Sequence, residues 1–132
     1  MTASGRRTIS SGGPWEAAAG YSRAVVVGDA CFVAGTTDAG PDGVSQHPDD
    51  MGGQARAVLE IIGRALAHAG FGLADVVRTR MFVTAIGRAG EVLAVHGEVF
   101  RDVRPAATIV EVSALLEPSL LVEIEVDARR AG

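Results

Sequence analysis

The chain has 132 residues, 48% of them hydrophobic and 21% charged, with a formal net charge of -4. That length suits one domain with a packed core. The hydrophobic share excludes a disordered chain, and the acidic balance lacks the basic footprint that nucleic acid demands. All twelve basic residues are arginines, which excludes Schiff-base and lysine-nucleophile chemistry.

Residues 1–14 are expected to form a loose N-terminal segment and residues 15–128 the core of a single domain. The N-terminal stretch MTASGRRTISSGG has arginines but no apolar h-region, so it does not read as a secretory signal. SSGGPWE, residues 10–16, is loop by composition around Pro14. SRAVVVGD and ACFVAGTT are β-branched or aromatic runs that meet at Gly28-Asp29, a two-residue hairpin signal. The single cysteine, Cys31, lies inside the second run. It can form no intrachain disulfide, fits a reducing compartment and is expected to be buried and inert. After Thr37, DAGPDGVSQHPDD has the composition of a surface loop.

From about Asp49 to Ala69 the periodicity changes. Met51, Ala55, Val58, Leu59, Ile62, Leu66 and Ala69 recur at three- and four-residue steps, which predicts an amphipathic helix. Asp49 or Asp50 can cap its start and Gly70 can end it, while Gly52 and Gly53 weaken its first turn. Arg56, Glu60 and Arg64 are spaced for solvated ion pairs along the helix. VVRTRMFVT, residues 76–84, alternates as a strand, and a second helix fits roughly Ala89 to Phe100, with Val92, Val95, Val99 and Phe100 on one side. AATIVEV and LLVEIEVDA are the last two strands. Two helices among these strands predict an α+β fold, a mixed sheet with both helices on one face.

The other face of that sheet is the unusual feature. In LLVEIEVDA, Glu123, Glu125 and Asp127 point away from Val122, Ile124 and Val126. In the 76–84 strand, Arg78 and Arg80 share a face with Phe82, opposite Val77, Met81 and Val83. A face mixing arginines, carboxylates and apolar groups suits pairing across subunits, so a homo-oligomer is expected. No apolar run approaches the ~18 residues needed to cross a bilayer. A soluble cytoplasmic protein without a membrane partner is expected.

GYSRAVVVGDACFVAGTT, then a helix, VVRTRMFVT, RPAATIVEV and LLVEIEVDA, resembles the RidA/YjgF family in order and spacing over about residues 15 to 128. These are the reactive-intermediate (imine/enamine) deaminases once labelled endoribonuclease L-PSP. The resemblance implies a chorismate-mutase-like α+β fold and a homotrimer with sheets facing inward. Three clefts between neighbouring subunits would each hold a small molecule, with no cofactor and no metal. In the best-understood branch, an arginine on the Pro-Ala-Arg strand binds the substrate carboxylate through two parallel hydrogen bonds. A last-strand glutamate positions or activates the water that attacks the imine carbon.

Carried onto this chain, Tyr21 matches the family tyrosine and Gly35-Thr36 the segment at the strand end, with Ala34 where serine is common. Glu123 matches the last-strand glutamate, after a loop one residue longer than usual. Ala107 stands where the carboxylate-binding arginine belongs, and Ile109 where cysteine is frequent. His96 falls near a usual aromatic position, and Trp15-Glu16 departs from the deaminase branch.

The resemblance therefore implies a cleft of Tyr21, Gly35, Thr36, His96, Ala107, Ile109 and Trp15, with Glu123 as the water-positioning group. Each residue also has a plainer role: Ala107 a packed methyl, Glu123 half of an inter-subunit ion pair with Arg78 or Arg80, Tyr21 a packed aromatic, His96 a structural histidine, Trp15 a surface anchor. Arg23, Arg78 and Arg80 come from other strands and could reach the cleft from a neighbouring subunit, which leaves open whether one of them substitutes for the missing arginine. His47 and His68 are expected in a loop and on a helix surface, and nothing has metal-ligand spacing. Standard 2-imino acid deamination is expected to be weak or absent. The alternatives are an imine or enamine hydrolase with a different substrate, a non-catalytic ligand-binding or protein-interacting trimer, and another hydrolase or isomerase in the same cleft.

Overall fold

The computed structural model describes residues 5–130. Six strands form one mixed sheet: β1 (Arg6–Ile9), β2 (Ala24–Val27), β3 (Ala30–Thr36), β4 (Val76–Val83), β5 (Ala106–Glu111) and β6 (Val122–Arg129), in the order β1-β2-β3-β6-β4-β5. The helices are α1 (Trp15–Ala19), α2 (Met51–His68) and α3 (Ala89–Val99). β4 and β5 run parallel because α3 carries the chain back between them, and every other neighbouring pair is antiparallel.

The core lies between the sheet and the two long helices. α2 buries Met51, Ala55, Val58, Leu59, Ile62 and Leu66, the stripe that its period requires. α3 buries Val92 and Val95, and Phe100 follows at its C-cap. Facing them are Val26, Cys31, Val33, Met81, Val83, Val122, Ile124 and Val126. Burial raises the Cys31 thiol pKa, which keeps it unreactive.

The helix start differs in its reason from the sequence expectation. The glycines at 52 and 53 do not delay it, because Asp50 Oδ1 accepts from Gly53 N at 2.9 Å. A Cβ at Gly53 would crowd the flexible end of the Asp50 side chain, which would have to shift to keep the cap. Arg56 pairs with Glu98 of α3 at 2.8 Å and so ties the two helices together instead of bridging along α2.

Three local features depart from the sequence reading. Residues 6–9, within the stretch expected to be loose, pair with β2 as the edge strand β1. Trp15 and Glu16 lie on the short helix α1 and not in a loop. Pro14 already has a helical φ of -70°, three alanines propagate the turn, and Gly20 ends it at φ 76°. Val77 does not join the buried face with Met81 and Val83. The pairing of β4 with β6 shifts between Val76 and Arg78, which leaves Val77 as an exposed bulge residue and brings Thr79 inward.

Candidate active site on the open face of the sheet

β6 brings Glu123, Glu125 and Asp127 to the face not covered by helices, beside Phe82, Arg80 and Arg78 of β4. Arg80 Nη1 meets Asp127 at 3.4 Å, so that arginine turns to Asp127 and not to Glu123. Glu123 instead lies across the end of β3. A Cβ at Gly35 would sit 2.1 Å from Glu123 Oε2, so the carboxylate occupies the space that any other residue at 35 would claim. The register of β3 against β6 shifts between Val33 and Thr36, and Gly35 lies within that irregularity.

Around this carboxylate the electrostatics are mixed. Burial is the main cause that raises the Glu123 pKa above its ordinary value. The neighbouring Glu125 carboxylate adds to the rise, and the Arg23 guanidinium opposes it. Arg23 Nη1 donates to Thr36 Oγ1 at 2.6 Å and to Gly35 O at 3.4 Å, and Thr36 Oγ1 donates to Ala34 O at 2.8 Å. The Thr36 hydroxyl thus both accepts and donates, and its side chain is buried.

A shallow depression of about 400 Å³ opens on the same face, with Tyr21, Ser22, Phe32, Ala34 and Glu125 in its wall. Tyr21 is exposed there, anchored by its backbone N–H to Glu16 O at 3.0 Å. Glu16 in turn accepts from Ser11 N at 2.7 Å and from the Ser11 hydroxyl, which lowers its pKa. Trp15 is 71% exposed on α1 and is not part of that wall.

Ala107, Ile109 and His96 belong to a second cluster. Ala107 pairs with Thr79 and Ile109 with Met81, so their side chains share the helix side of the sheet, opposite Glu123. His96 Nε2 lies 2.9 Å from Thr79 Oγ1, its ring is 4.7 Å from that of Phe100, and burial lowers its pKa. One chain therefore assembles Glu123, Gly35, Thr36 and Arg23 in one place, and His96, Thr79, Ala107 and Ile109 in another. Tyr21 borders the first cluster, and Trp15 joins neither.

Two supports were not legible in the sequence. Gln54, fully buried on α2, donates through Nε2 to His47 O at 3.1 Å and to Ser119 O at 2.9 Å, and accepts from Leu121 N at 2.8 Å. These bonds fix the entry of β6 two residues before Glu123. Asp38, 2% exposed, accepts at Oδ2 from Ser45 Oγ, His47 N and His47 Nδ1 at 2.8, 3.0 and 3.1 Å. His47 is thereby tied to the loop's buried carboxylate, whereas the sequence places it only as a loop residue. A larger, mainly apolar depression of about 650 Å³ lies on the outer side of α2, against Leu59, Phe71, Leu73 and Val99, and contains none of the expected site residues. Among the described residues, no group of three or more His, Cys, Asp or Glu is placed to hold a metal, and no helix is long and apolar enough to cross a membrane.

A six-stranded mixed sheet with its two long helices on one face defines the class as an α+β sandwich. The endoribonuclease L-PSP family model matches residues 13–130, and the chain belongs to that family. A crystal structure from Mycobacterium tuberculosis, a member of the YjgF/YER057c/UK114 family, superposes with a TM-score of 0.86 at 50% identity, covering 95% of this chain and 99% of that one. A Streptomyces coelicolor protein is 36% identical over all of this chain and 98% of its own length. The 2-iminobutanoate/2-iminopropanoate deaminase of Rattus norvegicus is 29% identical over 91% of this chain and 87% of its own.

Proposed function

We propose that the protein is a cytoplasmic RidA-like homotrimer that binds a small imine or enamine in clefts between subunits and hydrolyses it with Glu123. The observation that carries this reading is the Glu123 carboxylate held over Gly35, half-buried and with a raised pKa. A carboxylate made more basic by its surroundings is better matched to taking a proton from water near neutral pH. The water oxygen bonds to the imine carbon while its proton passes to Glu123. Return of that proton to nitrogen gives the carbinolamine, and transfer of its hydroxyl proton through Glu123 to the same nitrogen then breaks the C–N bond, releasing ammonia and leaving a carbonyl.

The placement of the second cluster supports an assembled cleft. Ala107, Ile109 and His96 face away from Glu123 within one chain, so a neighbouring copy is required to set the two clusters against each other. Exposed Phe32, Val27 and Val110 on the open face supply apolar area for that contact. A non-catalytic ligand-binding trimer is the second reading, favoured by the methyl of Ala107 where the family's carboxylate-binding arginine belongs.

The test is to generate 2-iminobutanoate and an uncharged imine in situ and follow their loss with the wild type and with Glu123→Gln. We expect acceleration of at least one imine and a loss of about 100-fold or more in the variant. Equal rates with and without protein on every imine would leave only the binding reading. A monomer by light scattering would remove the inter-subunit cleft.

A further inference from the structure

We propose that Gln54 is a positioning residue for Glu123: from the helix side of the sheet, its one amide sets how β6 begins and so holds the carboxylate over Gly35. The inference rests on the reading of Glu123 given above and adds to it a residue that lies in the core and not on the open face.

β6 is least supported where Glu123 sits. On one side, Phe82 of β4 pairs with Glu123. On the other, the register of β3 breaks between Val33 and Thr36, Thr36 pairs with Ile124, and β3 offers no register partner to Val122 or Glu123. The placement of a side chain at such a half-paired strand end depends on how the chain enters the strand. Leu121, the residue before β6, is gripped from two sides. Its N–H donates to Gln54 Oε1 at 2.8 Å, and its carbonyl accepts from Thr84 N at 3.1 Å. Gln54 Nε2 donates to Ser119 O and His47 O, so the same amide also ties down the turn before β6 and the loop before α2. That loop is fastened to the turn a second time, by Ser45 N donating to Ser119 Oγ at 2.8 Å.

The chemistry of the amide is what the position requires. A glutamine presents two donors and an acceptor from one terminus, and here they meet two carbonyls and one N–H in the core. Methionine fills the same space and leaves all three backbone groups unpaired. Glutamate keeps an acceptor for Leu121 N and, when ionised, can donate to neither carbonyl. A reacting group displaced by about 1 Å loses on the order of 100-fold in rate, so a slack entry to β6 is felt at Glu123.

The experiment follows imine hydrolysis and the side-chain NMR titration of Glu123 in wild type, Gln54→Met, Gln54→Glu and Val58→Ala. Val58 is buried on the same helix, and its truncation weakens the core without touching Leu121. In Gln54→Met, kcat should fall about 100-fold with KM unchanged. Its Glu123 carboxyl should titrate closer to the ordinary range, because a displaced side chain sheds part of the burial that raises its pKa. Gln54→Glu should recover the rate to within about ten-fold of wild type, and Val58→Ala should leave rate and titration unchanged. A wild-type rate and titration in Gln54→Met overturn the proposal, as do equal losses in Val58→Ala. Should Gln54→Met fail to fold, Gln54→Glu decides: an ordinary Glu123 titration while the Leu121 amide proton keeps its hydrogen-bonded shift overturns it. If wild type hydrolyses no imine, the catalytic reading fails, and the titrations alone judge whether Gln54 places Glu123.

Discussion

The two faces of β6 contrast within a single strand. Val122, Ile124 and Val126 point into the core and are fully buried, whereas Glu123, Glu125 and Asp127, one step out of phase, collect charge on the open face. The first set gains by leaving water. The second is arranged at a cost, with carboxylates near one another and one of them pushed toward protonation. The same backbone ladder serves both, so stability and chemistry can be perturbed independently by moving a single position along the chain.

The largest expected effect is on the core side. Ile124→Ala should cost about 2–5 kcal/mol in urea unfolding, because it opens a cavity where α2 meets the sheet. A loss below about 1 kcal/mol would mean that the two faces are not divided as described. One position along, the contrast should reverse. Gly35→Ala displaces only the end of the Glu123 side chain, so the fold should hold while hydrolysis falls about 100-fold, as in Glu123→Gln. Retained activity would separate Glu123 from the strand-end glycine.

A smaller effect tests the second cluster. Thr79→Val keeps the volume but removes the partner of His96 Nε2, and should cost about 1 kcal/mol. Because the folded His96 pKa lies below its ordinary 6.5, its contribution to stability is complete above that pH and is lost as pH falls through the folded value. Acid titration of stability should therefore show a shallower decline in His96→Phe than in the wild type.

The smallest effect, and the one of opposite sign, is that of Glu123→Gln on stability. The folded carboxyl pKa is raised above its ordinary 4.5, so Glu123 favours folding below pH 4.5 and loses that contribution as pH rises through the folded value. At neutral pH the variant should melt at a higher temperature than wild type, and the two should converge in acid. A lower melting temperature would show that the charged form is stabilised, not strained.

The parts of the fold legible in the sequence are those with a local period. The stripe of α2, the alternation of β6 and the turn at Gly28-Asp29 follow from spacing alone, and the hairpin closes as expected with Gly28 at φ 58°. What was hidden depends on contacts between distant residues. Nothing local marks Arg6–Ile9 as the partner of β2, Gln54 as the anchor of Leu121, or Asp38 as the acceptor for His47. The extra residue at Val77 shifts the alternation of β4 without leaving a trace in composition. For the site, the resemblance to a family supplied Glu123, Gly35 and Thr36, and the geometry sets them together. It also places Ala107 and His96 on the other side of the sheet, a division that alternation along β5 alone did not reveal because the strand is exposed nearly throughout.

The central claim is that ligands are met at the strand end under Glu123 and not in the roomier groove outside α2. Backbone and glutamate side-chain NMR of the full chain, titrated with 2-oxobutanoate, tests it directly. Perturbations should centre on Arg23, Gly35, Thr36 and Glu123, with the Glu123 carboxyl titrating above its ordinary range in the free protein. Perturbations confined to Phe71, Leu73 and Val99, with Glu123 titrating normally, would contradict it.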